Sequence, residues 1–514
     1  MKNLLDPKTI RIGLIESPMM TLVDENGIGW TSAYHSFLAS KQVLAGTLIA
    51  HGFDVQLYNL RSMAETVELG SVFWYDKQFK KIARGGDWRK LNHSECDVWG
   101  LTANFYQERD TVCAIIQYLS LQGTKVVVGG SDVFANPEAY INAGAIVAVL
   151  DKSGGSNIAA IELALTGKTE KPCWVYVKDG GIVEQKPWRL HPNNWPLPSL
   201  SFVKQTLAEV PWKNTSVNNT FPMGPVTPDH ACNRRCDFCQ SWTYRIPYEY
   251  MSAEKVLEWI DLEIKAGARS IINNSDQFLG RVLWPEGRNE VLTIMNGIKD
   301  RRLKNLWWNG LEIQMATLGR GMYRPGHPKY DPRPDHELVK ALWGYDGKVG
   351  CGQAFLPAER PLEGNSAYRK LLPWLEHVEM VKAIVQAGVP DITYALIIGL
   401  PDDSHDSLKR LMEAVVELRN EVLRINPAVQ FAVIPSCFIP FPGTSLAERL
   451  SKEKLIMAAD SALFGKWTPV TNTYHLSAWN IHEWQGRFYR EFMPKQYAEK
   501  TISSLGGIEQ IFRN

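Results

Sequence analysis

What most constrains this chain is an alternation of short apolar runs with segments of helical period, kept up along two long stretches and broken once by prolines. In the first stretch, residues 10–15 (IRIGLI) read as a short buried strand bounded by charge and Pro18. Residues 34–51 carry Phe37, Leu38, Val43, Leu44, Leu48 and Ile49 at helical spacing and stop at Gly52, a good helix end. Further strands are expected at 53–57, 96–101, 124–128 and 145–150, with helices over 110–121 and up to Leu165. Strands alternating with helices predict an α/β fold, a doubly wound (Rossmann-like) parallel sheet. Ligands of such sheets sit outside the carboxyl ends of the strands, where Gly129-Gly130 falls.

From 166 to about 220 the pattern breaks at Pro172, Pro187, Pro192, Pro196, Pro198 and Pro211, which predicts a linker with short strands near 174–177 and 182–185. Alternation resumes with longer helices from Gly224 to about Leu446, as in a barrel or partial (β/α) barrel. The rest looks mainly helical. The expected units are therefore 1–167, 168–223, 224–446 and 447–514.

Composition removes several classes. Lys plus Arg is 56 against 55 Asp plus Glu, a net charge of +1 that gives no global field toward nucleic acid or an anionic membrane, although local basic patches are compatible with it. No apolar run reaches the roughly 18 residues of a membrane span, and the amino terminus lacks a signal-peptide pattern. Eight cysteines in 514 residues are too few for a secreted disulfide framework, so a reducing cytoplasm is expected.

Three of those cysteines are concentrated. Residues 227–240 read TPDHACNRRCDFCQ, placing Cys232, Cys236 and Cys239 at Cys-x3-Cys-x2-Cys spacing. Three thiolates on a tight loop suit three irons of a cubane, with the fourth iron left open. Zinc is the alternative, but it needs a fourth protein ligand, for which His230 is in position. Asn233, Arg234 and Arg235 make the loop polar and cationic.

This segment resembles the signature of the radical S-adenosylmethionine (SAM) superfamily, Cys-x3-Cys-x-aromatic-Cys, with Phe238 as the aromatic residue. Residues 270–278 (SIINNSDQF), 396–401 (LIIGLP) and 439–444 (IPFPGT) look like later segments of that core, in order. The resemblance implies a [4Fe–4S] cluster on the three cysteines, and SAM near Phe238, Asn274, Ser275, Asp276, Gln353 and Ile398. Gln353 stands where the family often has an acidic residue.

The first domain resembles the cobalamin-binding domain of the cobalamin-dependent subclass, through residues 97–102 (DVWGLT) and 126–138 (VVVGGSDVFANPE). That implies cobalamin contacts from Thr102, Asn104, Phe105, Gly129, Gly130, Ser131, Gly154 and Gly155. Two departures stand out. The acidic stretch usual after the fifth strand reads DKSGGSN at 151–157, and no Asp-x-His-x-x-Gly motif is present in the domain, so histidine ligation of cobalt is not expected.

By resemblance, the expected activity is a methyltransferase. One SAM charges cob(I)alamin with methyl. A second yields a deoxyadenosyl radical that activates an unactivated carbon of a peptide or natural-product intermediate. Rearrangement or cyclisation without methyl transfer, and methylation of an sp2 carbon or phosphorus, use the same cofactors. A metal-binding interaction module is the non-enzyme reading. An electron donor such as flavodoxin or ferredoxin is the implied partner. Among other candidates, Cys351 and Cys437 read as core, and Asp402, Asp403, Glu359 and Arg360 as surface charge. Trp307-Trp308 and the 319–334 insertion are candidate walls of a substrate cavity.

Overall fold

The computed structural model describes residues 6–27, 29–30, 37–208, 221–307, 311–362 and 372–493. Its first half runs β1 (Arg11–Glu16), β2 (Met19–Val23), α1 (Ala39–Ala50), β3 (Asp54–Asn59), β4 (Thr66–Trp74), β5 (Lys77–Arg84), β6 (Val98–Thr102), α2 (Arg109–Leu121), β7 (Lys125–Gly129), α3 (Ser131–Ala135), α4 (Pro137–Asn142), β8 (Val147–Val149), α5 (Asn157–Thr166), β9 (Cys173–Val177), β10 (Gly181–Gln185) and α6 (Leu200–Ala208). One sheet takes the order β10-β9-β8-β7-β6-β1-β3. Its strands β3, β1, β6, β7 and β8 are parallel. This is the doubly wound order whose switch point lies between β1 and β6. Helix α2 explains its own docking: Val112, Ile115, Ile116 and Leu119 recur at helical spacing and are all fully buried. Each such side chain contributes at most about 1.5–3 kcal/mol of burial.

The expected linker behaves differently. Hairpin β9–β10 pairs antiparallel with β8 and extends the first sheet, so the sheet continues to Gln185 rather than ending at 167. The helix expected over 34–51 begins at Ala39, and the part of that expectation over 34–36 lies outside the described residues. The polar stretch before β6 supplies β4 and β5, which join β2 in a three-stranded antiparallel sheet of order β2-β5-β4.

The second half runs β11 (Met223–Val226), β12 (Asp229–His230), β13 (Glu249–Tyr250), α7 (Ala253–Ala266), β14 (Ser270–Asn273), α8 (Gly287–Asp300), β15 (Lys304–Trp307), α9 (His336–Trp343), β16 (Gly350–Glu359), α10 (Trp374–Gln386), β17 (Asp391–Ile398), α11 (His405–Ile425), β18 (Gln430–Cys437), α12 (Ser445–Lys452) and α13 (Ala478–Phe492). Strands β11, β14, β15, β16, β17 and β18 pair in sequence order, all parallel, as a partial barrel requires. Side-chain alternation separates the faces. In β16, Ala354, Leu356 and Ala358 are buried against the helices, while Gln353, Phe355, Pro357 and Glu359 keep accessible surface on the opposite face.

The carboxy-terminal segment joins both halves. Gln485 on α13 donates to the carbonyls of Pro435 and Lys466, both at 2.8 Å. Ala462, Leu463, Phe464 and Val470 bury against Met20, Leu22, Trp30, Trp74 and Phe79 of the three-stranded sheet. Lys81 bridges Asp110 at 2.7 Å and Asp460 at 3.0 Å. Among the described residues no helix is long and apolar enough to cross a membrane.

Candidate active site at the apposed strand ends

Cys232, Cys236 and Cys239 sit in a loop whose neck is closed by the β12–β13 pairs Asp229↔Tyr250 and His230↔Glu249. The fully buried Arg281 spans the neck, donating to the carbonyls of Met251 at 3.2 Å and Pro228 at 3.3 Å. Asp229 fastens the neck to the end of β14. Its carboxylate accepts the Ser275 hydroxyl and the backbone N–H of Asp276 at 3.0 Å and Gln277 at 3.4 Å. Burial pushes the Asp229 carboxyl up to about 6, against the pull of Arg281.

The loop is clipped at both ends. Asp276 accepts the Ala231 N–H at 3.0 Å, one residue before Cys232, and Ala231 takes a left-handed backbone with φ 60°. On the far side Leu446 N–H donates to Asp237 O at 3.1 Å, and the Gln240 amide to Pro442 O at 3.0 Å. The 439–444 segment thus supports the cysteine loop directly. Within the loop Cys239 N–H bonds to Cys236 O at 3.1 Å, and Arg234 N–H reaches Cys232 Sγ at 3.4 Å.

Burial pushes the Cys232 thiol up to about 12 and also raises Cys239. Ionisation of such thiols goes with metal binding, which releases their protons. Among the described residues, no three or more His, Cys, Asp or Glu side chains are gathered to hold one ion. His230 Nε2 bonds to Glu249 at 3.1 Å and its ring packs at a steep angle on Trp195, while its Nδ1 is buried without a hydrogen-bond partner. Both amide atoms of Asn233 are buried with no hydrogen-bond partner.

The first domain meets this loop at its own strand ends. Tyr244, five residues past Cys239, donates at 2.7 Å to the hydroxyl of Ser131, which follows β7. Lys152, which follows β8, donates to the same hydroxyl at 3.1 Å and lies 5.1 Å over the Tyr244 ring. Burial lowers the Lys152 pKa, while Asp276 and Asp151 pull it back up. Asp276 keeps accessible surface, while desolvation by the surrounding atoms raises its carboxyl against the pull of Lys152 and His230. The carboxyl edges of the two sheets therefore face each other, with the cysteine loop between them.

The other SAM-side residues fall as follows. Phe238 packs on the apolar cluster of Leu400, Phe438, Leu446 and Leu450, which Ile397 also joins. Ile398 is fully buried in the helix-side core, so strand parity brings Ile397 rather than Ile398 beside that cluster. Gln353 lies on the inner face, and Asn274 N–H bonds to Val226 O at 2.9 Å. Ser275 is committed to Asp229.

On the corrin side, Thr102 accepts from the buried Lys41 at 2.6 Å, and Lys41 also pairs with Glu16 at 3.4 Å. Asn104 is half-buried and Phe105 is 50% exposed. Gly130 has φ 122°, and a Cβ there would stand 2.2 Å from Ala103 O. A Cβ on Gly155 would stand 1.8 Å from Trp188 O. These two glycines are required by the approach of their own chain. Gly154 has φ 85°, and a Cβ on Gly129 would make only ordinary contact with Val149.

Several groups were not legible as site residues. Lys152 stands in the DKSGGSN stretch, where the charge reversal relative to an acidic pattern was the available signal. Asp403 and Arg360, expected as surface charge, are buried and ion-paired, and Asp403 accepts the N–H groups of Gly399 at 2.7 Å and Leu400 at 3.0 Å. They hold the Gly-Leu-Pro turn. Cys351 and Cys437 are buried with thiols raised by desolvation, as core cysteines. Trp307 is buried in the core; Trp308 lies outside the described residues.

A doubly wound domain facing a six-stranded parallel sheet across a cysteine loop is the fold of the cobalamin-dependent radical SAM enzymes. The chain is similar over 96% of its length to OxsB, a cobalamin-dependent SAM radical enzyme solved with aqua-cobalamin and SAM, at TM-score 0.63 and 13% identity over 70% of that chain. It is also similar to TsrM from Kitasatospora setae, a radical SAM methyltransferase. With tryptophan substrate and a SAM analogue bound, TsrM matches 87% of this chain and 77% of its own at TM-score 0.56 and 12% identity. With cobalamin and a [4Fe–4S] cluster, it matches 93% and 84% at TM-score 0.55 and 13% identity. No family model and no curated protein sequence matches the chain.

Proposed function

We propose that this protein is a cobalamin-dependent radical SAM enzyme that moves a methyl group from SAM to a carbon of a peptide or natural-product intermediate. The observation that carries this reading is the apposition of two strand-end edges around the Cys232–Cys239 loop, sealed by the Tyr244–Ser131 bond at 2.7 Å. The chemistry of the donor set suits the cofactors, although the described side chains are not drawn together about a single ion. Cys232, Cys236 and Cys239 would hold a [4Fe–4S] cluster, and the unpartnered Asn233 amide beside Cys232 is a polar group awaiting a partner. Asp276, Gln353 and Ile397 line the SAM side. Ser131, Thr102 and the 104–105 loop border the corrin side. When bound, the cluster supplies the electron that splits SAM and the corrin supplies a cobalt that carries methyl.

The chain's own work is positioning and exclusion of water. Arg281 and Asp229 fix the neck of the cysteine loop, and with it the place from which the three thiols would hold a cluster. Lys152 donates to Ser131, and its attraction for Asp276, the carboxylate that clips the loop, counters the desolvation of both groups. The Asp403–Arg360 pair keeps the Gly399–Leu400 turn at the mouth of β17. The carboxy-terminal segment ties the small sheet of the first domain to β18, which closes one side of the cavity.

The test is anaerobic incubation with methyl-labelled SAM, a reductant and candidate substrates, read by mass spectrometry. Labelled product together with 5′-deoxyadenosine supports methyl transfer to an unactivated carbon. Product without deoxyadenosine indicates methylation at an sp2 carbon or phosphorus, and deoxyadenosine without label in the product indicates rearrangement. Changing any one of Cys232, Cys236 or Cys239 to Ala should abolish deoxyadenosine and the brown cluster absorbance. Deoxyadenosine formation unchanged in those variants overturns the assignment.

A further inference from the structure

Residues 318–333 form a compact projecting loop, held at its base by Leu318 N–H to Arg333 O and Gly319 N–H to Asp331 O, both 2.9 Å. Inside it Tyr323 stacks on His327 with ring centroids 4.2 Å apart and planes 9° apart, and Lys329 lies 5.9 Å over Tyr323. The loop's backbone is held by its own contacts.

Those charges are one-sided. The loop carries Arg320, Arg324, Lys329 and Arg333 against Asp331 alone, in a chain whose net charge is only +1. Arg333 is neutralised by Asp331 at 2.6 Å. Arg324 and Lys329 are exposed and carry no ion pair among the described residues, and the same holds for Arg235 in the cysteine loop. Two apolar side chains, Leu318 at 49% and Met322 at 50%, are exposed on the loop. A basic rim around exposed apolar side chains is the composition of a docking face for an acidic protein.

Its place relative to the cysteines decides which acidic protein. At the foot of the loop Gly321 packs closely on Gln314, where a Cβ would stand 2.8 Å from its Cγ, and lies in ordinary contact distance of Arg234, 3.4 Å from Nη2 to that Cβ. Arg234 is tied to Glu312 at 2.8 Å, and its backbone N–H reaches Cys232 Sγ. The basic loop thus abuts the cysteine loop directly, and Arg235 marks where that loop reaches the surface.

We infer that the 318–333 loop, with Arg235, is the docking face for a small acidic protein that delivers single low-potential electrons to the cluster. The inference rests on the radical SAM reading. One electron leaves the donor's redox group and enters the cluster; the donor is oxidised by one electron, the cluster is reduced by one, and no atom moves. Contact at the cysteine loop keeps the transfer path short. Charge complementarity sets the encounter rate and makes it sensitive to salt.

The test compares two reductants on the reconstituted full-length protein. Reduced flavodoxin, an acidic donor, serves as the protein reductant and dithionite as the small-molecule one, with two readouts: 5′-deoxyadenosine, and the affinity of flavodoxin for the full-length protein by isothermal titration calorimetry at low ionic strength, which charge reversal should weaken about tenfold or more. In Arg324→Glu/Lys329→Glu, the flavodoxin concentration for half-maximal rate should rise about tenfold or more at low ionic strength, while the dithionite-driven rate stays within twofold of the parent. Arg324→Lys/Lys329→Arg, which keeps the charge, should behave as the parent with both reductants. In the parent, the flavodoxin-driven rate should fall steeply with added salt. An unchanged flavodoxin dependence in the charge-reversed variant overturns the inference. So does an equal loss with both reductants, which would give the loop a role in substrate binding or folding. A parent that makes no deoxyadenosine even with dithionite overturns the radical SAM reading itself.

Discussion

Glu263 offers a sharp test of how the two halves are joined. It lies on α7, fully buried, against Gly224 of β11 and beside the Trp259–Gln42 bond of 2.9 Å that links α7 to α1 of the first domain. Trp259 also approaches Glu263 Oε1 at 3.3 Å. Burial raises the carboxyl to about 8 from 4.5, and the bonds from Gln42 and Trp259 offset this only in part. The folded state therefore keeps a proton that the unfolded chain releases. The contribution of Glu263 to stability is fully present below pH 4.5 and is lost as the pH climbs through 8. With one pKa unit equal to about 1.36 kcal/mol, the penalty is about 1 kcal/mol at pH 5, about 3 at pH 7 and about 4 at pH 8.

Glu263→Gln keeps the shape, an acceptor for Trp259 and a donor, but removes the titration. The variant should be more stable than the parent by about 3 kcal/mol at pH 7, which for an unfolding unit of about 150–250 residues is a rise of roughly 6–12 °C in Tm. Differential scanning calorimetry of both proteins from pH 5 to pH 8 measures it. The difference in Tm should widen with pH. A difference that stays constant across that range, or a variant less stable at every pH, refutes the reasoning that a buried protonated carboxyl joins these elements.

Two further substitutions probe the strand-end geometry. Gly130→Ala should destabilise the first domain by about 3 kcal/mol or more, because the new Cβ meets the Ala103 carbonyl and the backbone region is one that only glycine adopts readily; urea denaturation followed by tryptophan fluorescence would show it. Arg360→Met should cost about 3–5 kcal/mol, because Asp403 is left as an uncompensated buried charge behind the Gly399–Leu400 turn, whereas the double change Arg360→Met/Asp403→Asn should recover much of the loss. A thermal-melt comparison of the single and double variants decides it.

The sequence by itself determined what local period and short spacing encode. The alternation of strands with helices and the cysteine triplet could be read directly, since both are written within a few residues of one another. Stops such as Gly267 after α7, with φ 113°, were legible for the same reason. Tertiary structure decided what depends on partners far away in the chain. Hairpin β9–β10 reads as linker until β8 offers it an edge. Strands β4 and β5 look polar because one face is exposed, and their buried face becomes meaningful only against residues 462–470 of the carboxy-terminal segment. Asp403 and Arg360 pass for surface charge until the fold buries them together. Ile398 and Ile397 differ by one step of strand parity, which only the register fixes. Lys152 and Tyr244 become neighbours only when the two sheets turn their carboxyl ends toward each other. Local order is set by backbone sterics and side-chain period within a turn or two. A buried ion pair or an interdomain hydrogen bond is set by which surfaces desolvate together, and that is a property of the folded chain as a whole.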